Sequence, residues 1–288
     1  MPLSRKSALD RKMRHGFIPF VVMDGRVEPV ADGWDPGLGN ERAYSFGLLY
    51  HAKRSHIGGL AVIGGDGRGG IDLGLLLEAE RLIQRHFPEA VLVGGTAAAL
   101  HAEHRVSLAV DSVLVDLRNR FPEVLAKLES LAGWKTRRAR PPVLILGNFH
   151  GIDVGIRQLI RSAPLETTRL NGITVPTVGE MLRIKGWLVV TRNAVRDYLD
   201  FCAVADRLGD HFERAMAPMD RLYPQPENAD STSQQLAKML AEPLPFDFRP
   251  SEDMLTVWRE LQPPWTDWDC VTRYCRQLAG RLLRSILD

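Results

Sequence analysis

Between Ala90 and Leu117 the chain reads AVLVGGTAAALHAEHRVSLAVDSVLVDL, an order of residues that few folds accommodate. Ala90 to Val93 is a short apolar run of strand character and Gly94-Gly95-Thr96 is a tight turn. A helix follows to about Glu103, and a longer strand starts at Ser107 with Asp111 near its middle. An apolar strand that feeds a glycine turn at a helix N-terminus can hold phosphate, because backbone N–H groups and the positive end of the helix dipole point the same way. A carboxylate on the neighbouring strand can hold the magnesium ion that a polyphosphate brings with it. The rest of the chain is weighed by whether it completes that arrangement.

The flanking segments alternate between helical and strand periodicity. From Leu73 to Phe87, Leu75, Leu76, Ala79, Leu82 and Ile83 recur at helical spacing, and Pro88 ends the run. A second amphipathic stretch, Arg120 to Leu131, carries Val124, Leu125, Leu128 and Leu131 on one stripe and stops at Gly133. Strands are expected over Trp134 to Ala139, Val143 to Leu146 and Gly151 to Ile156, the last two joined by a turn at Gly147-Asn148. Thr167 to Val175 reads as a hairpin about Asn171-Gly172. After Pro176 the pattern becomes helical. Val178 to Val190 and Ala194 to Leu208 come first, then a polar loop from Pro224 to Ser233. Shorter helices are expected over Gln234 to Leu240, Glu252 to Leu261 and Asp267 to Leu287. The expected architecture is therefore α+β: a mixed sheet flanked by helices over 73–176, a helical C-terminal region over 177–288, and a poorly defined extension over 1–72.

That extension contains possible strands at Phe17 to Met23 and Leu60 to Ile63, and the glycine-rich run Gly64 to Gly70. From Gly65 the run satisfies G-x-G-x-x-G, the dinucleotide-binding pattern, which also requires an acidic residue at the end of the next strand. Here that strand ends in Gly94-Gly95, so a flexible loop is favoured over a dinucleotide-binding oxidoreductase. A net charge of +2 over 288 residues neither demands nor excludes nucleic acid. Three cysteines, Cys202, Cys270 and Cys275, are too few for a disulfide framework and include no CxxC pair, so reduced thiols are expected. No run approaches the roughly 20 apolar residues that span a bilayer, and a cytoplasmic protein with no membrane partner is expected.

Residues two apart on a strand share a face, so Ser107, Ala109, Asp111 and Val113 point one way and Asp116 the other. Two-metal nucleotidyl-transfer sites present carboxylates at that spacing, with another on a nearby strand. Asp111 supplies one, and Asp153, inside Gly151-Ile152-Asp153-Val154, is the natural further ligand.

Gly94-Gly95-Thr96-Ala97-Ala98-Ala99-Leu100-His101, followed by His104-Arg105-Val106-Ser107, resembles the AbiEii-type nucleotidyltransferases, toxin components of type IV toxin–antitoxin and abortive-infection systems. Lys185 to Arg192 resembles that family's K-x6-R helix, and Arg196-Asp197-Tyr198-Leu199-Asp200 its R-D-x-x-D segment. The resemblance spans Ala90 to about Leu208. It implies transfer of a nucleoside monophosphate from an NTP to an RNA, tRNA or protein acceptor with Mg2+, and a cognate antitoxin as partner. By position, Gly94, Gly95 and Thr96 would cradle the triphosphate through their N–H groups, the threonine hydroxyl adding a bond. Asp111 and Asp153 would hold metal, with Asp153 alternatively the base. Lys185 would meet the nucleotide phosphates, with Arg192 and Asp197 in support. The same comparison puts Ala109 where the first metal aspartate belongs. Alanine cannot ligate a cation, which leaves a second reading: a nucleotidyltransferase-fold protein that binds nucleotide or a partner without turning it over.

Three weaker candidates remain. His101 and His104 lie three apart on a helix, but nothing is placed to complete a metal site, so packing is favoured. Trp258, Trp265 and Trp268 read as packing for the terminal helices. The basic run Lys135-Thr136-Arg137-Arg138-Ala139-Arg140 either contacts RNA phosphate or guards a sheet edge, the guard being preferred.

Overall fold

The computed structural model describes residues 73–248, Leu255 and 260–287, together with two strands near the N-terminus. The chain divides into the units Met1–Ala61 and Val62–Asp288. In the first, β1 (Phe20–Met23) pairs antiparallel with β2 (Arg26–Pro29), Phe20 opposite Pro29. The Gly64 to Gly70 run, the strand expected at Leu60 to Ile63, Trp258 and most of the helix expected over Glu252 to Leu261 lie outside the described residues.

The second unit opens with α1 (Leu73–His86), whose buried side is Leu76, Leu77, Ala79, Ile83 and, unexpectedly, Glu80. Then come β3 (Val91–Val93), α2 (Gly94–Ala102), β4 (Ala109–Leu114) and α3 (Leu117–Glu129). Three strands follow, β5 (Trp134–Arg140), β6 (Leu144–Phe149) and β7 (Ile152–Gln158). They form one mixed sheet in the order β3-β4-β7-β6-β5, in which only β4 and β7 run parallel. The hairpin β8 (Thr167–Leu170) and β9 (Ile173–Pro176) turns at Asn171 and Gly172, both at positive φ as a tight hairpin turn requires.

Strand β4 shows how the sheet is sided. Val110, Ser112 and Leu114 are buried and alternate with the half-exposed Ala109, Asp111 and Val113. The buried row meets α1, where the Ser112 hydroxyl donates to Glu80 Oε2 at 2.7 Å. Helix α3 packs on β5 and β7 through the stripe Leu117, Phe121, Val124 and Leu128. It begins before the expected Arg120 because Asp116 and Leu117 open a turn that Pro122 then kinks, leaving Arg120 outside helical geometry.

The turn expected at Gly147-Asn148 is not there. Both residues lie within β6, and the chain reverses at His150-Gly151, each at positive φ. Gly147 serves packing, since a methyl group on it would come within 2.3 Å of the Trp134 ring.

The helical region comprises α4 (Val178–Arg192), α5 (Val195–Leu208), the short α6 (Phe212–Met216) and α7 (Met219–Leu222), α8 (Thr232–Ala241) and α9 (Trp268–Leu287). Thr177 caps α4 by accepting from the Glu180 N–H, and Ser231 with Gln234 forms a capping box on α8. Helix α5 is buried along Val195, Tyr198, Leu199, Phe201, Cys202 and Val204, with α2 and α4 packed against it. The buried core continues from sheet to helices with no break at Pro176. Cys202 and Cys275 meet between α5 and α9 as free thiols, sulfur to sulfur 3.3 Å. Trp265 packs on Tyr274, and Trp268 on Tyr198 and Phe248. Among the described residues no helix is long and apolar enough to cross a membrane.

Candidate functional site

Asp111 sits on the less covered face of β4, with its side chain 23% exposed. Two glycines make room for it. Gly94, at φ +74°, opens α2 directly after Val93, the residue opposite Asp111, and a Cβ there would lie 3.2 Å from both Cβ and Oδ2 of the aspartate. Gly155, its register partner on β7, would bring a Cβ to 2.5 Å from Oδ1. Because β3 passes into α2 without a loop, the carboxylate lies beside the first turn of α2, which no side chain caps. A helix N-terminus of that kind favours negative charge, whether Asp111 or a ligand supplies it.

Thr96 plays a different part from the one expected. Its hydroxyl is fully buried and donates to the Ala109 carbonyl at 2.6 Å. It fastens α2 to β4, so only its backbone N–H faces the question of phosphate.

The parallel pairing of β4 and β7 sets Ala109 beside Asp153, Asp111 beside Gly155 and Val113 beside Arg157. Partners in a parallel pair point to the same side, so Asp111, Asp153 and Arg157 share one face. Each carboxylate on that face already has a guanidinium. Arg157 Nε donates to Asp111 Oδ1 at 3.1 Å, and Arg137 Nη1 to Asp153 Oδ2 at 2.9 Å. Asn148 adds a bond to Asp153 Oδ1 at 3.0 Å. A divalent hard cation wants several oxygens converging with water. Here one carboxylate of the expected set is a methyl group and the others are paired with arginine. Among the described residues no cluster of three or more His, Cys, Asp or Glu side chains converges. The residues as arranged do not fit the two-ion magnesium site the resemblance implies.

Lys185, expected at the nucleotide phosphates, is engaged inside the protein. It is 2% exposed, and its ammonium donates to Asp200 Oδ2 at 2.7 Å. Asp200 is buried and also accepts from Arg105 through Nε and Nη2, at 2.8 and 3.0 Å, and from His104 Nε2 at 2.7 Å. Burial acts to raise the Asp200 carboxyl, but Arg105, then Lys185 and His104, hold it well below the usual carboxylate range. Burial pulls Lys185 down, and the contact with ionised Asp200 opposes that. This cluster backs the glycine turn. Arg105 lies against Gly95 so closely that a Cβ there would be 2.5 Å from Nη2.

Arg192 forms a two-point ion pair with Asp197, which is itself buried. Burial acts to lower Arg192, and Asp197, then Asp200 and Asp111, raise it. His101 and His104 are held by the Pro176 carbonyl, at 2.8 Å, and by Asp200, respectively.

Sequence reasoning passed over Arg157, although Asp153-x-Gly155-x-Arg157 carries the period of two that places it. The basic run read as an edge guard does lie on β5, the edge strand of the sheet. A bulge between Thr136 and Arg138 makes Arg137 an extra residue. Lys135, Arg138 and Arg140 then pair with Asn148, Leu146 and Leu144, on the Asp153 side, and Arg137 reaches Asp153 itself. Without the bulge these cations would be shared between the two faces.

Fold and site together define an α+β protein in which carboxylate–arginine pairs stand on one face of a mixed sheet beside an uncapped helix start. No protein-family model matches the chain. Part of it is similar to the heme uptake protein MmpL11 of Mycobacterium tuberculosis, 34% identical over 112 residues, covering 35% of this chain and 12% of that protein. The mycolic acid-containing lipids exporter MmpL11 of Mycolicibacterium smegmatis is 29% identical over 132 residues, covering 43% and 13%. The chain therefore spans about an eighth of the length of these relatives. Among solved structures, JHP933 from Helicobacter pylori is 17% identical, covering 74% of this chain and 92% of that one, with a TM-score of 0.42. A candidate nucleotidyltransferase from H. pylori is 14% identical, covering 73% and 95%, with a TM-score of 0.44. A Megavirus polyadenylate synthase is 10% identical, covering 59% and 37%, with a TM-score of 0.31. Likenesses this distant assign no family.

Proposed function

We propose that the chain is a nucleotide-binding protein on a nucleotidyltransferase-like core of the AbiEii type, with its two-metal transfer chemistry lost. The carrying observation is the state of Asp111, held between Gly94 and Gly155 beside the start of α2 and already paired with Arg157. The triphosphate of an NTP is read as lying against the N–H groups of Gly94, Gly95 and Thr96. Arg192, paired with Asp197, is read as adding charge there, while Lys185 and Asp200 hold the turn from behind through Arg105.

A second reading keeps the activity: magnesium-dependent transfer of a nucleoside monophosphate to an RNA, tRNA or protein, as a toxin restrained by an antitoxin. It is favoured by Asp111 and Asp153 sharing one face. Both readings are tested on the full chain with each α-labelled NTP, with and without magnesium and total RNA. Retention of label on a filter without transfer to RNA or protein supports the first reading. Transfer that disappears in Asp111→Ala establishes the second, and no retained label contradicts both.

A further inference from the structure

The charges around Asp111 and Asp153 say more than that a carboxylate is missing. In a site that binds polyphosphate through metal ions, carboxylates carry the ions and the ions neutralise the phosphates. Here each carboxylate is neutralised by the chain itself, Asp111 by Arg157 and Asp153 by Arg137. Lys135, Arg138 and Arg140 lie on the same face by register, so five basic side chains stand against two carboxylates on these strands. Arg157 is 27% exposed, and the bond to Asp111 runs through its Nε. A guanidinium offers five N–H donors in a planar fork, so one edge can stay on a carboxylate while another meets a phosphate.

Resting on the nucleotide reading, we propose that this face binds its polyphosphate ligand without a divalent cation, the Arg157 guanidinium seated on Asp111 taking the electrostatic place of the ion. Arg157 cancels the charge that would repel the phosphates from the start of α2 and supplies donors to them. Arg137 does the same at Asp153, the residue paired with Ala109. The substitution at Ala109 and the arginine on β7 are then two halves of one change. With a carboxylate at position 109 the face would need an ion, and without it the arginines suffice.

The test is the affinity of the full chain for ATP, by isothermal titration, in EDTA and in excess magnesium, for the wild type, Arg157→Gln and Arg157→Lys. Wild-type affinity is expected to be the same in both buffers. Arg157→Gln is expected to lose about tenfold or more in EDTA, the worth of one charged hydrogen bond. Part of that loss should return with magnesium, because Asp111 is then open to an ion. Arg157→Lys, which keeps the charge but not the fork, should fall between, and its thermal midpoint shows whether the fold is intact. Wild-type binding that requires magnesium overturns this proposal while leaving the nucleotide reading standing. Equal ATP affinity for the wild type and Arg157→Gln in EDTA also overturns it. No binding in either buffer removes the nucleotide reading and this proposal with it.

Discussion

Ala109 stands directly beside Asp153 in the parallel pairing of β4 with β7, a methyl group next to a carboxylate on one face of the sheet. If that methyl marks a lost ion ligand, restoring the oxygen should restore affinity for an ion. Ala109→Asp is expected to bind Mn2+ about tenfold or more tightly than the wild type in titrations followed by electron paramagnetic resonance. Unchanged, negligible Mn2+ binding would mean that the place beside Asp153 has no memory of a metal. Ala109 is half-exposed, so the substitution should cost little stability, about 1 kcal/mol or less.

Asp200 is the acceptor for three buried cationic or imidazole donors, so its loss should be felt more than that of any one donor. Asp200→Asn leaves Lys185 and Arg105 as buried charges without their counter-charge and is expected to destabilise by about 3–5 kcal/mol in urea unfolding. Lys185→Met leaves Arg105 and His104 on the carboxylate and should cost clearly less. The opposite ranking would show that Lys185, not Asp200, is the hub. Because the Asp200 carboxyl is held low, its contribution is complete above its ordinary value of 3.8 and disappears as pH falls through the lower folded value.

Glu80 behaves in the opposite sense. Burial raises it from 4.5 to about 7, Asp111 adding to the rise and the bonds from Ser112 and Gln84 acting against it. A folded-state value above that of the unfolded chain means that the native protein holds the proton more tightly. The contribution is present below about pH 4.5 and is lost as pH rises to about 7. Wild type should therefore lose about 3 kcal/mol relative to Glu80→Gln between pH 4.5 and 8. Parallel stability curves for the two proteins would contradict a neutral Glu80 in the acid range.

Gly155→Ala tests the pocket around Asp111 from the side. The new Cβ would fall 2.5 Å from Oδ1, so the carboxylate must turn away from Arg157 or the strands must part. A cost of about 1–3 kcal/mol is expected, as for other insertions into packed space, with weaker ATP binding. A variant as stable as wild type with unaltered ATP binding would show that the pocket yields freely.

Local pattern carried the sequence reading far. The apolar period of α1, the strand–glycine–helix run of β3 and α2, and the Asn171-Gly172 hairpin depend on neighbours in sequence, and each formed as expected. The mixed α+β arrangement followed from them. What local pattern could not carry was pairing over distance. Gly147-Asn148 resembles a turn until Trp134 is seen to need the space above Gly147. Lys185 is set at the nucleotide phosphates by resemblance alone, and its buried pairing with Asp200, itself held by Arg105 some 95 positions earlier, is not legible in its neighbours. The edge strand β5 was foreseen, but the bulge that turns its cations to one face was not, because a bulge is set by the partner strand. Asp111 and Asp153 were joined as one candidate set, but their shared face needs the β4–β7 register and their arginines the tertiary contacts to be seen.

The central claim is that nucleotide phosphates lie between the start of α2 and Arg157 on a face that needs no metal. The most direct measurement is a two-dimensional nitrogen–proton spectrum of the isotope-labelled chain titrated with ATP in EDTA. The largest shifts are predicted at the backbone amides of Gly94, Gly95 and Thr96 and at the Arg157 Nε–H. Shifts confined to other parts of the chain, or none until magnesium is added, would contradict the account.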